Sequence, residues 1–388
     1  MVKLRVYKWL LMGCVIAILI FIVLIVNQAQ VENNSSSIFG RNVYNQSGSV
    51  GQIADPSYAV TFPIDHASHD LFDIEWWYLT SNLNDADGNQ FGLQWTLFRF
   101  RNPNSSTGEV NNSDSTWHNN QLFMAHASVH SIENHWFSEK FARGGVGNAG
   151  VFQNPFSLSI DDWLWENATN SNNLLPASLN FSAKSKSGQY SVLTANLSMI
   201  QTGPFVLHGE QGYSIKSMSD HASHYYSAPF IDMKGQFIIN DSTTQKRIVS
   251  VTGKAWFDHE WTSQLLDNNT LGWDWVSLHL ANGSKLMAFR MRLKNQADFV
   301  TGSYISNNGL QTTLEPADIN LTPLNTTKVR GKALPLNWQL SIPSQNINIT
   351  ISSIKDDQWN DASIPYYEGM VEVKGSHIGR GFIELTGY

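Results

Sequence analysis

After residue 30, the hydrophobic pattern of this 388-residue chain has one dominant period, and that period is two. Phe91, Leu93, Trp95 and Leu97 share one side, with Gly92, Gln94 and Thr96 between them. Met287, Phe289, Met291 and Leu293 alternate with Ala288, Arg290 and Arg292. Leu336, Trp338, Leu340 and Ile342 alternate with Asn337, Gln339 and Ser341, and Ile347, Ile349 and Ile351 with Asn348 and Thr350. Successive side chains of an extended chain point to opposite faces, so this alternation marks half-buried strands. Asp87-Gly88, Asn282-Gly283 and Asn308-Gly309 supply turns between them. No later stretch carries a strong helical period, so the fold class expected is all-β. Many antiparallel strands of this length close into barrels or stack as sandwiches.

The N-terminus is different. Lys3, Arg5 and Lys8 precede an unbroken apolar run from Trp9 to Val26, long enough to cross a bilayer. Residues 1–30 are therefore expected to form a transmembrane anchor or a signal helix, kept out of the fold itself. The length of the run favours an uncleaved anchor over a cleaved signal. Cys14 sits in a Leu11-Met12-Gly13-Cys14 sequence that resembles a lipoprotein box, but the apolar run continues past it. The basic end belongs in the cytoplasm, which puts the remainder in an extracytoplasmic, periplasmic or cell-envelope, location with the membrane as a partner. Residues 31–57, rich in Asn, Ser, Gln and Gly, read as a flexible tether. The two halves that follow are expected at 58–245 and 246–388.

Composition narrows the function. Charged residues make up only 15% of the chain and the net charge is −7, with no basic stripe beyond the extreme N-terminus. That excludes an electrostatic grip on nucleic acid. Cys14 is the single cysteine, so the domains must hold by packing, for which 14 Trp and 20 Phe are ample.

A weak repeat runs through the chain. Asp65-His66 precedes a loop, Glu75-Trp76-Trp77-Tyr78 opens a strand, and after a glycine turn a strand ends in Phe98-Arg99. Asp258-His259 likewise precedes a loop, Trp273-Asp274-Trp275 opens a strand, and the strand after Asn282-Gly283 holds Phe289-Arg290. The ordered set points to a duplication.

The densest group of reactive side chains is Trp256-Phe257-Asp258-His259-Glu260-Trp261. In a strand, Asp258 and Glu260 face one side with Trp256, and His259 faces the other. Two neighbouring carboxylates in an aromatic pocket cannot both ionise cheaply, so one is expected to stay protonated near neutral pH, as a general acid must. A turn in which Asp258 caps backbone amides is the structural alternative. Glu75 among tryptophans reads either as a buried anchor or as a second functional acid. His224, Tyr225 and Tyr226 offer imidazole and phenol groups, and Met124, His126, Ser128 and His130 share a strand face. Asp65, His66, His69 and Asp70, or His126 and His130, could ligate a metal, but no spacing demands zinc. No metal and no cofactor are expected. A G-x-S-x-G elbow is missing, which leaves a serine hydrolase without a visible nucleophile.

Phe62-Pro63-x-Asp65-His66 followed by Glu75-Trp76-Trp77-Tyr78 resembles the opening signature of the carotenoid 1,2-hydratase-like proteins, a group that also holds predicted secreted hydrolases and attachment-type proteins. Phe91-Gly92-x-Gln94 with Phe98-Arg99, Trp256-x-Asp258-His259-Glu260-Trp261, and the terminal Gly379-Arg380-Gly381-Phe382-x-Glu384 extend the match from about residue 58 to the end. The resemblance implies two tandem lipocalin-like antiparallel β-barrels. It also implies a reaction, acid-promoted addition of water across an isoprenoid double bond. On that reading Asp258 donates the proton, Glu260 is its carboxylate neighbour, and His224 and Tyr226 position water. Trp256 and Trp77 face the cation, with Glu75, Trp261 and His259 completing the ligand site. The partner expected is an apolar small molecule. A non-catalytic carrier of such a ligand and an envelope hydrolase are the alternatives.

Overall fold

The computed structural model describes residues 51–101, 119–186, 190–217, 221–241, 246–264 and 269–388. The apolar run and most of the tether expected from the sequence lie outside the described residues. Among the described residues, no helix is long and apolar enough to cross a membrane.

Antiparallel pairing joins eight strands into a closed ring. In chain order they are Ile74–Asn84, Gln90–Arg101, Gln121–Ser131, His135–Arg143, Ala177–Ser185, Ser191–Gln201, Ala222–Asp241 and Lys246–Thr262. The last pairs with the first from Ile74↔Thr262 to Asn84↔Thr252, which closes the barrel. Its inward residues form one core, with Trp77, Trp95, Phe257 and Trp261 all buried. A three-strand meander, Ala149–Gln153, Phe156–Ile160 and Trp163–Asn167, extends the edge of Ala177–Ser185 and adds Phe156, Trp163 and Trp165 to that core. The strand Ala222–Asp241 shifts register between Ala228 and Ile231. Pro229 lies in that gap, where a residue without an N–H is tolerated.

The second sheet runs from Gln311–Leu314 through Phe299–Ile305, Lys285–Leu293, Thr270–Leu280, Gly379–Leu385, Tyr366–Gly375, Ile347–Ser353 and Lys332–Ile342 to Asn320–Val329. Its outer strands do not pair with each other, so it is a half-barrel curled around Val276, Leu278, Trp338, Ile349 and Ile383. The molecule is all-β, with the tandem lipocalin-like arrangement the resemblance implies.

The sequence division at 245/246 departs from the pairing. Lys246–Thr262 belongs to the first sheet, between Ala222–Asp241 and Ile74–Asn84, and the second sheet begins only at Thr270. Alternation alone does not say which barrel a strand closes. The repeat survives in its hairpin part. Glu75 faces Arg99 across the first hairpin and Trp76 faces Phe98; Asp274 faces Arg290 and Trp275 faces Phe289 in the second sheet. The Asp-His part does not correspond: Asp65 and His66 lie in a short 3-10 turn, Asp258 and His259 inside the closing strand.

The outer face of the barrel packs on the half-barrel through a third apolar cluster. Tyr78, Val206, Tyr225 and Trp256 meet Trp275, Met287, Phe289, Met291, Met370 and Phe382. Gly92 sets the closeness of approach: a Cβ there would stand 2.4 Å from Met370 Cγ and 3.0 Å from Phe382 Cζ.

Candidate functional site

The closing strand Lys246–Thr262 is buried on both faces from Ala255 onward, and its period of two splits the expected site residues into two groups. Trp256, Asp258 and Glu260 point outward into the seam between the sheets. Phe257, His259 and Trp261 point into the barrel.

In the seam, Asp258 is 2% exposed. Trp256 Nε1 donates to its Oδ1 at 2.6 Å, and the Ser227 hydroxyl donates to the same oxygen. Burial pushes the Asp258 carboxyl up to about 7, against the hydrogen bonds from Ser227, Trp256 and Tyr225; the charge of Glu260 adds to the rise. The acid expected from the sequence is therefore present, but desolvation rather than the neighbouring carboxylate leads the shift. Glu260 accepts from Ser223 Oγ at 2.5 Å and pairs with Lys216 Nζ at 2.8 Å.

The half-barrel adds two acids. Glu368 is fully buried and accepts from the Tyr78 hydroxyl. Its Oε2 makes no hydrogen bond of normal geometry, although Tyr366 stands close enough to weigh on the acid. Burial, with the charge of Glu384, holds Glu368 well above the usual carboxylate range. Glu384 accepts from Trp273 Nε1 at 2.7 Å, and burial pushes it up to about 7. Tyr78 is the direct cross-strand neighbour of Asp258, so the seam runs from Asp258 past a phenol to Glu368. Neither Glu368 nor Glu384 was read from the sequence as a site residue. Glu368 stands beside Tyr366 and Tyr367, the same acid-among-aromatics signal that marked Glu75, and Glu384 lies in the terminal motif.

Inside the barrel a hydrogen-bonded network gathers the others. Glu75 Oε1 meets His69 Nδ1 at 2.6 Å and His259 Nε2 at 2.8 Å, while Oε2 receives Arg99 Nε at 2.8 Å. His259 Nδ1 meets the Tyr226 hydroxyl at 3.2 Å, which in turn meets His66 Nδ1 at 2.8 Å. Trp261 stacks on His69 with ring centroids 3.7 Å apart, and Trp77 on His259 at 4.6 Å. Burial disfavours charge on Glu75, yet His69 and Arg99 hold it well below its ordinary value. Burial likewise opposes charge on His69, but Glu75 and Asp65 outweigh it and push the imidazole up to about 9. Burial lowers His259 and takes His66 down to about 3. His224 accepts from the Asp55 N–H at 3.3 Å, and burial lowers it to about 4.

His224 and Tyr226 thus lie in the barrel with Glu75, Trp77, His259 and Trp261, and the sheet separates them from Asp258. The expectation that they position water for Asp258 is corrected: Ser227 and Tyr225 occupy the seam side of that strand, because neighbouring residues alternate faces. Met124, His126, Ser128 and His130 also face the seam, where His126 bonds Glu139 and Tyr366, and Ser128 bonds His130 and His135. Among the residues weighed as metal ligands, only His69 joins a convergent set. His69, Glu75 and His259 bring three ligand atoms within 4.8 Å of one another.

A family model described as AttH-like matches residues 53–388. A crystal structure of an AttH protein from Nitrosomonas europaea superposes with a TM-score of 0.71 and 30% identity, covering 87% of this chain and 99% of that one. Kievitone hydratase from Nectria haematococca shares the fold at a TM-score of 0.57 and 16% identity, over 88% of this chain and 97% of that one. No curated protein matches the chain. With nearly all of the described chain covered, the protein belongs to the AttH-like family.

Proposed function

We propose that the chain is a hydratase that adds water to a double bond of an isoprenoid or similarly apolar ligand, at the seam between the two sheets. The observation that carries this reading is Asp258, a carboxyl held up to about 7 by burial beside an indole and among apolar side chains. The protonated carboxyl gives its proton to one alkene carbon, and the electron pair of the double bond forms the new C–H bond. The adjacent carbon becomes a cation, which the face of Trp256 stabilises. Water attacks that carbon, and its surplus proton returns to the Asp258 carboxylate. Ser227 and Tyr225 take the water-positioning role first assigned to His224 and Tyr226. Glu368, a second acid across the seam that burial holds well above the usual carboxylate range, limits the negative charge beside the cation, and Lys216 offsets that of Glu260. The fold shared with kievitone hydratase and the residues of the carotenoid 1,2-hydratase-like resemblance support the reaction class. The N-terminal basic residues and apolar run support an extracytoplasmic location, with access to ligands that partition into a membrane.

The test begins with native mass spectrometry of the protein purified from its own host, to identify the apolar ligand. Hydration of that ligand is then followed in wild type and Asp258→Asn. A general acid contributes about 100- to 10,000-fold, so the variant should lose activity on that scale while still binding ligand. A loss of only a few-fold removes Asp258 from the donor role. Ligand binding with no turnover in wild type favours a carrier.

A further inference from the structure

On the barrel side of the closing strand, separate from the seam acids, we propose a binding site for a divalent transition-metal ion, zinc by its donor set, held by His69 Nδ1, Glu75 Oε1 and His259 Nε2. Three different elements bring these atoms together: the loop before the first strand, the first strand itself and the strand that closes the barrel. The atoms lie within 4.8 Å of one another, and each imidazole nitrogen faces the same carboxylate oxygen. A tetrahedral zinc with bonds of about 2.0–2.2 Å spaces its donors roughly 3.3–3.5 Å apart. The imidazoles therefore need to draw back from Oε1 by under about 1 Å, and the widest pair of donors, up to 4.8 Å apart, to close by roughly 1.4 Å.

The outward atoms of the three side chains make the stronger argument. Metal-bound histidines characteristically hand their second nitrogen to a carboxylate or another oxygen, which fixes the tautomer and aims the first nitrogen at the ion. His69 Nε2 meets Asp65 Oδ1 at 3.1 Å, and His259 Nδ1 meets the Tyr226 hydroxyl at 3.2 Å. Glu75 Oε2 is held by Arg99 Nε and by the His69 backbone N–H, both at 2.8 Å. Asp65 is itself fixed by Tyr58 at 2.5 Å and by the Thr61 N–H at 2.5 Å. Each ligand is thus anchored from behind, and the three inward atoms are of the kind zinc takes when it displaces the protons they share, which leave to solvent. Imidazole with carboxylate suits zinc and its transition-metal neighbours, whereas calcium and magnesium want oxygen alone. Three protein ligands leave the fourth position to water, as in open zinc sites. The ion would tie the loop to both strands that close the ring. This departs from the sequence expectation of no metal.

The test uses the full chain in detergent, without an affinity tag and stripped of metal. ZnCl2 is titrated by calorimetry and CoCl2 by visible absorption. One equivalent of each should bind, and cobalt should show the ligand-field bands of a four-coordinate site. His69→Ala and His259→Ala should each weaken zinc binding by at least about 100-fold, and Asp65→Asn by roughly 10- to 100-fold. Zinc should raise the melting temperature of wild type and leave both alanine variants unmoved. The absence of saturable binding to wild type overturns the proposal, as does an affinity unchanged in both histidine variants. Should an alanine variant fail to fold, the wild-type cobalt spectrum decides alone: a six-coordinate, all-oxygen spectrum overturns the site.

Discussion

Asp258 and Glu75 are both buried carboxyls among tryptophans, and their surroundings drive them to opposite charge states. Asp258 has hydroxyl and indole donors but no cation against it, so desolvation dominates and the group stays protonated to about pH 7. Glu75 has Arg99 and His69 within hydrogen-bonding distance and stays ionised. Removing one partner of a buried ion pair costs about 3–5 kcal/mol. Arg99→Met should therefore destabilise the barrel on that scale, read from urea unfolding. For Asp258 the sign runs the other way. Its folded pKa stands above the unfolded 3.8, so the folded state binds the proton more tightly. Its contribution to stability is full below about pH 4 and is lost as pH rises through about 7. Wild type compared with Asp258→Asn should therefore lose relative stability from about pH 4 to about 7 and level off above, measured by urea midpoints. Hydration activity, which needs the acid form, should fall as pH rises through about 7.

At the scale of strands, the alternation of Leu336 to Ile342 and of Ile347 to Ile351 placed two strands that the structure bounds at Lys332–Ile342 and Ile347–Ser353. The same period separated Asp258 from His259 correctly. It did not reveal that both faces are buried, because that depends on a half-barrel contributed by residues far away in sequence. The resemblance joined His224 and Tyr226 to Asp258, but it does not say which side of the sheet each faces, and the pairing of their strand with Lys246–Thr262 puts them on the barrel side. Glu368 carries the acid-beside-aromatics signal of Glu75, but the local pattern does not show which sheet covers it. Gly92 offers a test at this scale. A Cβ there meets Met370 and Phe382, on strands that form the half-barrel side of the seam. Gly92→Val should cost about 1–3 kcal/mol by overpacking. Crystallography of the variant should show the sheets displaced at Met370.

For the whole molecule, the two sheets differ in closure. The barrel depends on Lys246–Thr262, which fills the gap between Ala222–Asp241 and Ile74–Asn84. A fragment ending at 245 leaves two unpaired edges, which invite aggregation. A fragment ending at 264 keeps the ring. Hydrogen exchange should find Ile74–Asn84 protected in the longer fragment and open in the shorter one. Tandem barrels also account for two chemically distinct regions, an ion-paired network within the first barrel and, where the second sheet covers it, the carboxyls of Asp258, Glu368 and Glu384 raised by burial. The seam acids are central to the proposed hydration, and the charge state of Asp258 can be observed without knowing the ligand. The most direct measurement is a 13C NMR pH titration of the Asp side-chain carboxyls in the full chain, with Asp258→Asn identifying the resonance. An Asp258 midpoint near 7 is expected; a midpoint below about 5 would contradict the proposed general acid.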